Sequence, residues 1–181
     1  SSKKMRAMDA KRNRRVESLL HEASRHVVDE LLLRGVNDLV IGYNEGWKQE
    51  ANMGAVSNQK FVGIPHERFV SMLEYKCLLA GIATRRQEES YTSKASFLDL
   101  DPMPVYGDGM AVPEFSGYRE KRAWYKRKNV KERVHADVNG AYNILRKVIP
   151  KAFAGGISGF AVSPERLWPL KKERNGLPLL C

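Results

Sequence analysis

Cysteine is nearly missing from this chain. Cys77 and Cys181 are the only two, too few for a disulfide framework or a zinc site built on cysteine pairs. Cys77 falls on the apolar face of a predicted helix and reads as a small buried residue, which fits a reducing, cytoplasmic setting. Long apolar runs are missing too. No stretch approaches the roughly 20 residues that span a bilayer, and the basic N-terminal region lacks the apolar centre of a secretory signal. Acid is in short supply: 31 Lys+Arg stand against 21 Asp+Glu, a net charge of +10, which points to a polyanionic partner, most often nucleic acid. There is no internal repeat. The chain opens Ser1-Ser2-Lys3-Lys4 without a methionine, as a fragment or a trimmed chain would.

What is present is a helix–strand alternation. Residues 3–15 carry Lys3, Lys4, Arg6, Lys11, Arg12, Arg14 and Arg15. They read either as a solvated helix face or as a stripe that contacts phosphates. Val16, Leu19, Leu20, Ala23, Val27, Leu31 and Leu32 recur at three- and four-residue spacing and predict an amphipathic helix ending near Gly35. Asp38–Gly42 is a short apolar run that reads as a buried parallel strand. The loop after it, Tyr43 to Gln49 with Glu45 and Lys48, lies where ligands gather in open α/β sheets. Pro65 opens a second helix, with Phe69, Met72, Leu73, Cys77 and Ala80 as its buried stripe and Gly81 as its stop. Ile82-Ala83-Thr84 then begins a second strand running toward Glu88-Glu89. By composition it is a poor strand, and only the alternation places it.

Ser90 to Val134 has no regular period, and a long aperiodic insertion is usually functional or disordered. Its second half holds Arg119, Lys121, Arg122, Lys126, Arg127, Lys128, Lys131 and Arg133, interleaved with Tyr118, Trp124 and Tyr125. Such a pattern suits a phosphate backbone with stacked bases, or else a solvated hairpin with aromatics at its base. The stretch that follows, Asp137 to Leu145, opens a helix whose Val138, Ala141, Tyr142, Leu145 and Val148 share an apolar face. Asp137 is either a simple cap or a functional carboxylate. Gly140, one turn on, costs a helix roughly 1 kcal/mol against alanine, which suggests a close approach beside Asp137. The helix stops at Pro150, and 151–181 reads as a tail punctuated by Gly and Pro.

Four blocks, in this order, resemble the C-terminal half of the TnpB/OrfB proteins. They are Leu39–Lys48, Leu73-Glu74-Tyr75-Lys76, Glu89–Ser96 and Asp137–Leu145. Those proteins are transposon-encoded, RNA-guided nucleases related to type V CRISPR effectors, with a RuvC-like nuclease domain. The resemblance runs from about residue 10 to about residue 150. It implies an α/β chain carrying a partial RNase H-like (RuvC) fold over 1–150: helix, strand, helix, strand, insertion, helix, with 91–134 as the insertion and 151–181 as a tail. It implies two-metal phosphodiester hydrolysis with Mg²⁺ or Mn²⁺, hard cations that prefer carboxylate oxygens.

Carried over residue by residue, Asp137 matches the family's last catalytic aspartate and a metal ligand. The family's first catalytic aspartate would lie upstream of Ser1. Where many members place a glutamate directly after the first strand, this chain has Gly42 and Tyr43. Glu89 is the preferred substitute as catalytic residue and metal ligand, with Glu45 second. The insertion lacks the Cys pairs of the zinc ribbon found in many relatives, so no zinc is expected. Nucleic-acid contacts are expected from Lys48, Arg119, Arg122, Trp124, Lys126, Arg127 and Lys128. The implied partners are DNA and a guide RNA, with no membrane, in a prokaryotic, nucleoid-associated setting. Because the upstream strands would be missing, the 38–42 strand would expose an edge. That predicts self-association or dependence on an N-terminal half, and a chain inactive by itself. The alternative is a non-catalytic nucleic-acid binder descended from such a nuclease, or more plainly an α/β domain whose motifs only shape its core.

Overall fold

The structure, a computed structural model, describes residues 2–44, 65–105, 107, 109, 111–121, 123–153, 159 and 161–164. Glu45, Lys48, Arg122 and Cys181 lie outside them. The described elements run α1 (Lys3–Leu33), β1 (Asp38–Gly42), α2 (His66–Leu79), β2 (Ala83–Gln87), β3 (Gly117–Lys121), β4 (Trp124–Arg127), β5 (Arg133–His135) and α3 (Ala136–Val148). The chain divides into two compact units, one holding 1–39, 55–84 and 166–181, the other 40–54 and 85–165.

The first unit is built twice from one plan, a helix that ends on a left-handed glycine and feeds a strand. Gly35 has φ +63° and Gly81 φ +74°. At the first stop Gly35 N–H donates to Leu32 O and Val36 N–H to Leu31 O; at the second Gly81 N–H donates to Leu78 O and Ile82 N–H to Cys77 O. Both are Schellman caps, which satisfy helix carbonyls that would otherwise be unpaired and turn the chain sharply. Between α1 and α2 the core is Val28, Cys77 and Ile82, with Leu31, Leu39 and Ala80 packed against it. Cys77 is fully buried, as its spacing predicted. Among the described residues two polar links cross the helix pair, and one of them is Arg68 Nη2 donating to Glu17 Oε1 at 2.7 Å. Lys76 Nζ donates to Ser24 Oγ (2.7 Å) and to His21 O (2.8 Å), and burial, reinforced by nearby Arg25, lowers the Lys76 pKa.

β1 and β2 form a two-stranded sheet. Asn37 O accepts from Ala83 N–H at one end, and Tyr43 N–H donates to Gln87 O at the other. That order of bonds is the parallel one. β1 is half-buried or exposed along its length, not fully buried as its apolar run predicted. No second described strand covers its other side.

The insertion is more regular than its sequence. β3, β4 and β5 make an antiparallel sheet, with Gly117 opposite Arg127, Tyr118 opposite Lys126, Arg119 opposite Tyr125, and an irregularity between Arg119 and Lys121. Tyr125 pairs with Val134, and Trp124 with His135. Strands of three to five residues with a charge at about half their positions show no alternation, so the sequence hides them. Phe97, Tyr125, Val134 and Ala136 form the core beneath them. Phe97 stacks on Tyr142 at 4.6 Å, and Phe153, from the stretch read as tail, meets both rings edge-on.

α3 differs from expectation in which face it buries. Ala141 is exposed, and Val138, Tyr142, Leu145 and Val148 are only half-buried. The fully buried positions are Asn139 and Asn143.

Candidate nuclease site

At the start of α3 the capping side chain is not Asp137. His135 is the N-cap, and its Nδ1 accepts from Asp137 N–H at 3.3 Å. The usual reason for an acid at a helix start is to accept that kind of bond. Here an imidazole does so, and the Asp137 side chain is left 74% exposed. Its carboxylate faces Arg119 Nη2 at 3.8 Å and His135 Nδ1 at 3.7 Å, distances at which neither partner binds it tightly. A methyl group at Gly140 would meet nothing within 4 Å. Among the described residues nothing fills the room beside Gly140.

Glu89 stands just past the end of β2, half-buried, in a mutual pair with Asn44 beyond the end of β1. Asn44 Nδ2 donates to Glu89 Oε1, and Glu89 N–H donates to Asn44 Oδ1, each at 3.2 Å. The second carboxylate oxygen is 2.6 Å from where a Cβ at Gly42 would sit, a spot also 2.6 Å from Ile144 Cδ1. Any side chain at residue 42 would therefore displace the Glu89 carboxylate or Ile144. Burial raises the Glu89 pKa, and neighbouring Glu88 raises it further. Glu88 goes the other way. Burial pushes it up, but hydrogen bonds from Lys147 and Ser90 outweigh that and hold it low.

A polar clamp, missed at the sequence level, ties the elements carrying Glu89 and Asp137. Thr92 N–H and Oγ both donate to Glu89 O (3.2 and 2.9 Å). Asn143 Nδ2 donates to Thr92 O (2.9 Å) and Ala95 O (2.7 Å). Asn139 Nδ2 donates to Ala95 O (2.8 Å), while its Oδ1 accepts from Phe97 N–H (3.2 Å). Arg146 closes the set, donating to Asn143 Oδ1 (2.8 Å) and Asp101 O (3.0 Å). Two asparagines one turn apart on a helix were the available signal, since they project from one face. Placed on that face with their donors inward, they serve a turn that has no regular backbone ladder of its own.

Where zinc ligands would organise the insertion, carboxylates do so. Asp101 accepts from Ser96 N–H (2.8 Å), Ser116 N–H (2.9 Å) and Ser116 Oγ (2.6 Å). Asp99 accepts from Ser96 Oγ (2.6 Å) and, through both its oxygens, from the Arg127 guanidinium. That fork holds Asp99 below the usual carboxylate range and raises Arg127. Tyr125 Oη donates to Lys94 O (2.9 Å), and burial pushes its phenol far up, with Asp101 and Asp99 adding to the shift.

The remaining expected contact residues sit on or beside the hairpin, each cation facing an acid of the chain. Arg119 faces Asp137, Lys126 faces Glu120 at 3.7 Å, and Lys128 faces Glu114 at 2.6 Å. Arg127 is committed to Asp99. Trp124 carries the Arg133 guanidinium 4.5 Å from its ring centre and His135 at its edge. Among the described residues no group of three or more His, Cys, Asp or Glu is placed to hold a metal, and no helix is long and apolar enough to cross a membrane.

Residues 66–144 match the family described as Cas12f1-like, TNB domain. The match begins at α2 and ends within α3, so it takes in Glu89, the hairpin and Asp137. Among solved structures the chain is similar to a cryo-EM structure of a Cas12f1–sgRNA–target DNA complex, with 18% sequence identity and a TM-score of 0.57. The similarity covers 78% of this chain and 36% of that one, so the chain spans little more than a third of that protein's length. No curated protein matches the chain. Both comparisons thus find likeness to Cas12f1-type proteins, one over residues 66–144 and one in fold.

Proposed function

We propose that this chain is the C-terminal part of a RuvC-like, RNA-guided DNA endonuclease, contributing Asp137 and Glu89 as two metal-binding carboxylates of a centre that other groups complete. The observation that carries this is the helix start, where His135 takes over the cap and leaves the Asp137 carboxylate exposed beside open space. Glu89 supports it from the other side. A desolvated carboxylate with a raised pKa favours either a proton or a cation, and Gly42 leaves the room it needs. In this reading Glu89 has moved from the end of one strand to the end of its parallel neighbour and still reaches the same spot. Glu45 is the second candidate.

The described residues do not by themselves make up a metal site. When bound, Mg²⁺ or Mn²⁺ would activate water and stabilise the leaving oxygen. Asp137 and Glu89 would hold it, the Asn139/Asn143 clamp would fix the turn behind Glu89, and Arg119 would restrain Asp137 until the cation displaces it. In this reading the partners are DNA and a guide RNA, the setting is cytoplasmic and nucleoid-associated, and the chain alone does not turn over.

The test is Mn²⁺-dependent cleavage of single- and double-stranded DNA with co-purifying RNA retained. The chain is compared with a version extended upstream by the opening strands of the RNase H-like fold, each beside Asp137→Ala and Glu89→Gln. Activity is expected in the extended protein alone and is lost in both variants. Activity in neither form, with nucleic-acid binding intact, moves the assignment to a non-catalytic binder. Cleavage by the extended protein that survives Asp137→Ala rules out the assignment of Asp137.

A further inference from the structure

We propose that the N-terminal arm of α1, residues 3–15, is a phosphate-backbone binding surface for nucleic acid, separate from the basic hairpin. It takes only its partner class from the reading above.

The two basic regions differ in what their cations face. On the hairpin, Arg119, Lys126, Arg127 and Lys128 each meet a carboxylate of the chain. On the arm, every residue from Ser2 to Arg15 is exposed, and Asp9 is the only acid among them. Lys3, Lys4, Lys11, Arg12, Arg14 and Arg15 make no ion pair among the described residues.

Their arrangement is one-sided. At 3.6 residues per turn Lys3, Lys4, Lys11, Arg14 and Arg15 fall within about 120° of arc, and Arg12 lies about 60° further on. The positions that α1 buries, Leu20, Ser24 and Val28, centre about 120° away around the helix. The other acids of α1 come later, and several are already engaged: Glu17 meets Arg68, Asp29 meets Arg25, and Glu30 meets Arg34. Charge is thus sorted along one helix, cations on the arm and acids where it packs.

A polyanion lying along the arm relieves the mutual repulsion of its cations. At 1.5 Å per residue the arm is about 20 Å long, roughly six steps of a duplex at 3.4 Å per step. A membrane surface is the poorer occupant. Met5 and Met8 are the arm's only large apolar side chains, too little for interfacial insertion.

The experiment is fluorescence anisotropy with the full chain and labelled 30-base-pair DNA and RNA duplexes, from 50 to 300 mM KCl. The fivefold variant K3Q/K4Q/K11Q/R14Q/R15Q is compared with wild type and with K126Q/K128Q on the hairpin. Gln keeps helix propensity close to that of Lys and Arg, and circular dichroism checks that α1 survives. Each phosphate contact removed lowers the slope of log K on log salt by about 0.9 on DNA, so a loss of about 3 to 4 in slope is expected for the arm variant. At least a 30-fold weaker affinity near 150 mM accompanies it. The conservative K3R/K4R/K11R binds as wild type does. The DNA and RNA arms show which backbone is preferred. An unchanged slope in the fivefold variant, with wild type binding normally, overturns this proposal and leaves the nuclease reading standing. So does arm-dependent binding to anionic phosphatidylserine vesicles with none to either duplex. A wild-type chain that binds no nucleic acid at any salt overturns both.

Discussion

The helix–strand repeat of α1–β1 and α2–β2 and the insertion between β2 and α3 are held together by different physics. The repeat is closed by apolar contact and by two glycine caps. Its core is Val28, Cys77 and Ile82, and among the described residues two polar links join its helices, Lys76 on Ser24 and His21, and Arg68 on Glu17. The insertion has a small core and a dense web of carboxylates, amides and two guanidiniums, Arg127 and Arg146, that satisfies turn after turn. Apolar burial is non-directional and tolerates adjustment. A buried polar web stabilises only when every member is paired, and it fixes geometry tightly. The part of the chain that must hold Glu89 and Asp137 is built in the second way.

The contrast breaks most sharply at the clamp. Asn143→Leu leaves the carbonyls of Thr92 and Ala95 short of donors and Arg146 without its acceptor. Asn139 still reaches Ala95 O at 2.8 Å and Thr92 O at 3.5 Å, so at about 1–3 kcal/mol for each buried group left unpaired a loss of about 3 kcal/mol is expected in urea unfolding. The Phe97 amide, bonded to Asn139, should lose hydrogen-exchange protection before Cys77 does. Equal loss of protection in both regions would mean the two unfold as one.

Arg127→Met is next, at about 2 kcal/mol, because it strands Asp99 with only the hydroxyl of Ser96. The effect should depend on pH. Arg127 holds Asp99 below its unfolded value, so the stabilisation is fully present above that unfolded value and is lost as pH falls through the lower folded one. Melting curves of wild type and variant should therefore converge in acid. In the repeat, Ile82→Val should cost about 1 kcal/mol, with no dependence on pH from 4 to 7 and little on salt. A pH-dependent cost there would show that the repeat is not held by apolar contact.

Glu89→Gln is the smallest effect and the one with opposite sign. The folded pKa of Glu89 is raised, so the folded protein holds its proton more tightly than the unfolded chain. The carboxylate therefore opposes folding above the folded pKa, and that opposition disappears below the unfolded one. Glu89→Gln should raise the melting temperature by a few degrees or less at pH 7 and leave it unchanged near pH 4. Millimolar Mn²⁺ should stabilise wild type and not the variant if Glu89 is a ligand.

Much of the repeat was legible. The apolar period of α2, the helical setting of α1, the Pro65 start and the Gly35 and Gly81 stops are local facts about a chain and its neighbours three or four residues away. The α1 stripe was misplaced in part, for Leu19 and Leu32 are exposed while Ser24 and Val28 are buried. The strand order, the burial of Cys77 and the helical setting of Asp137 follow from the same kind of reading. The insertion was not legible. β3, β4 and β5 are too short and too charged to show a period. The bonds that hold the clamp join residues 42 to 51 apart in sequence. Arg127 looked like a phosphate ligand beside Lys126 and Lys128, and the fold brings it against Asp99, 28 residues earlier.

The sequence by itself determined which segments are helices, where each stops, the excess of positive charge and the four blocks that mark the resemblance. Those properties depend on near neighbours and on composition. Tertiary structure alone decided that His135 caps α3 while Asp137 stays exposed, that Glu89 fills the room beside Gly42, and that two asparagines form the buried face of α3. Each depends on which distant backbone groups would be left without hydrogen-bond partners, and only the folded chain supplies that information.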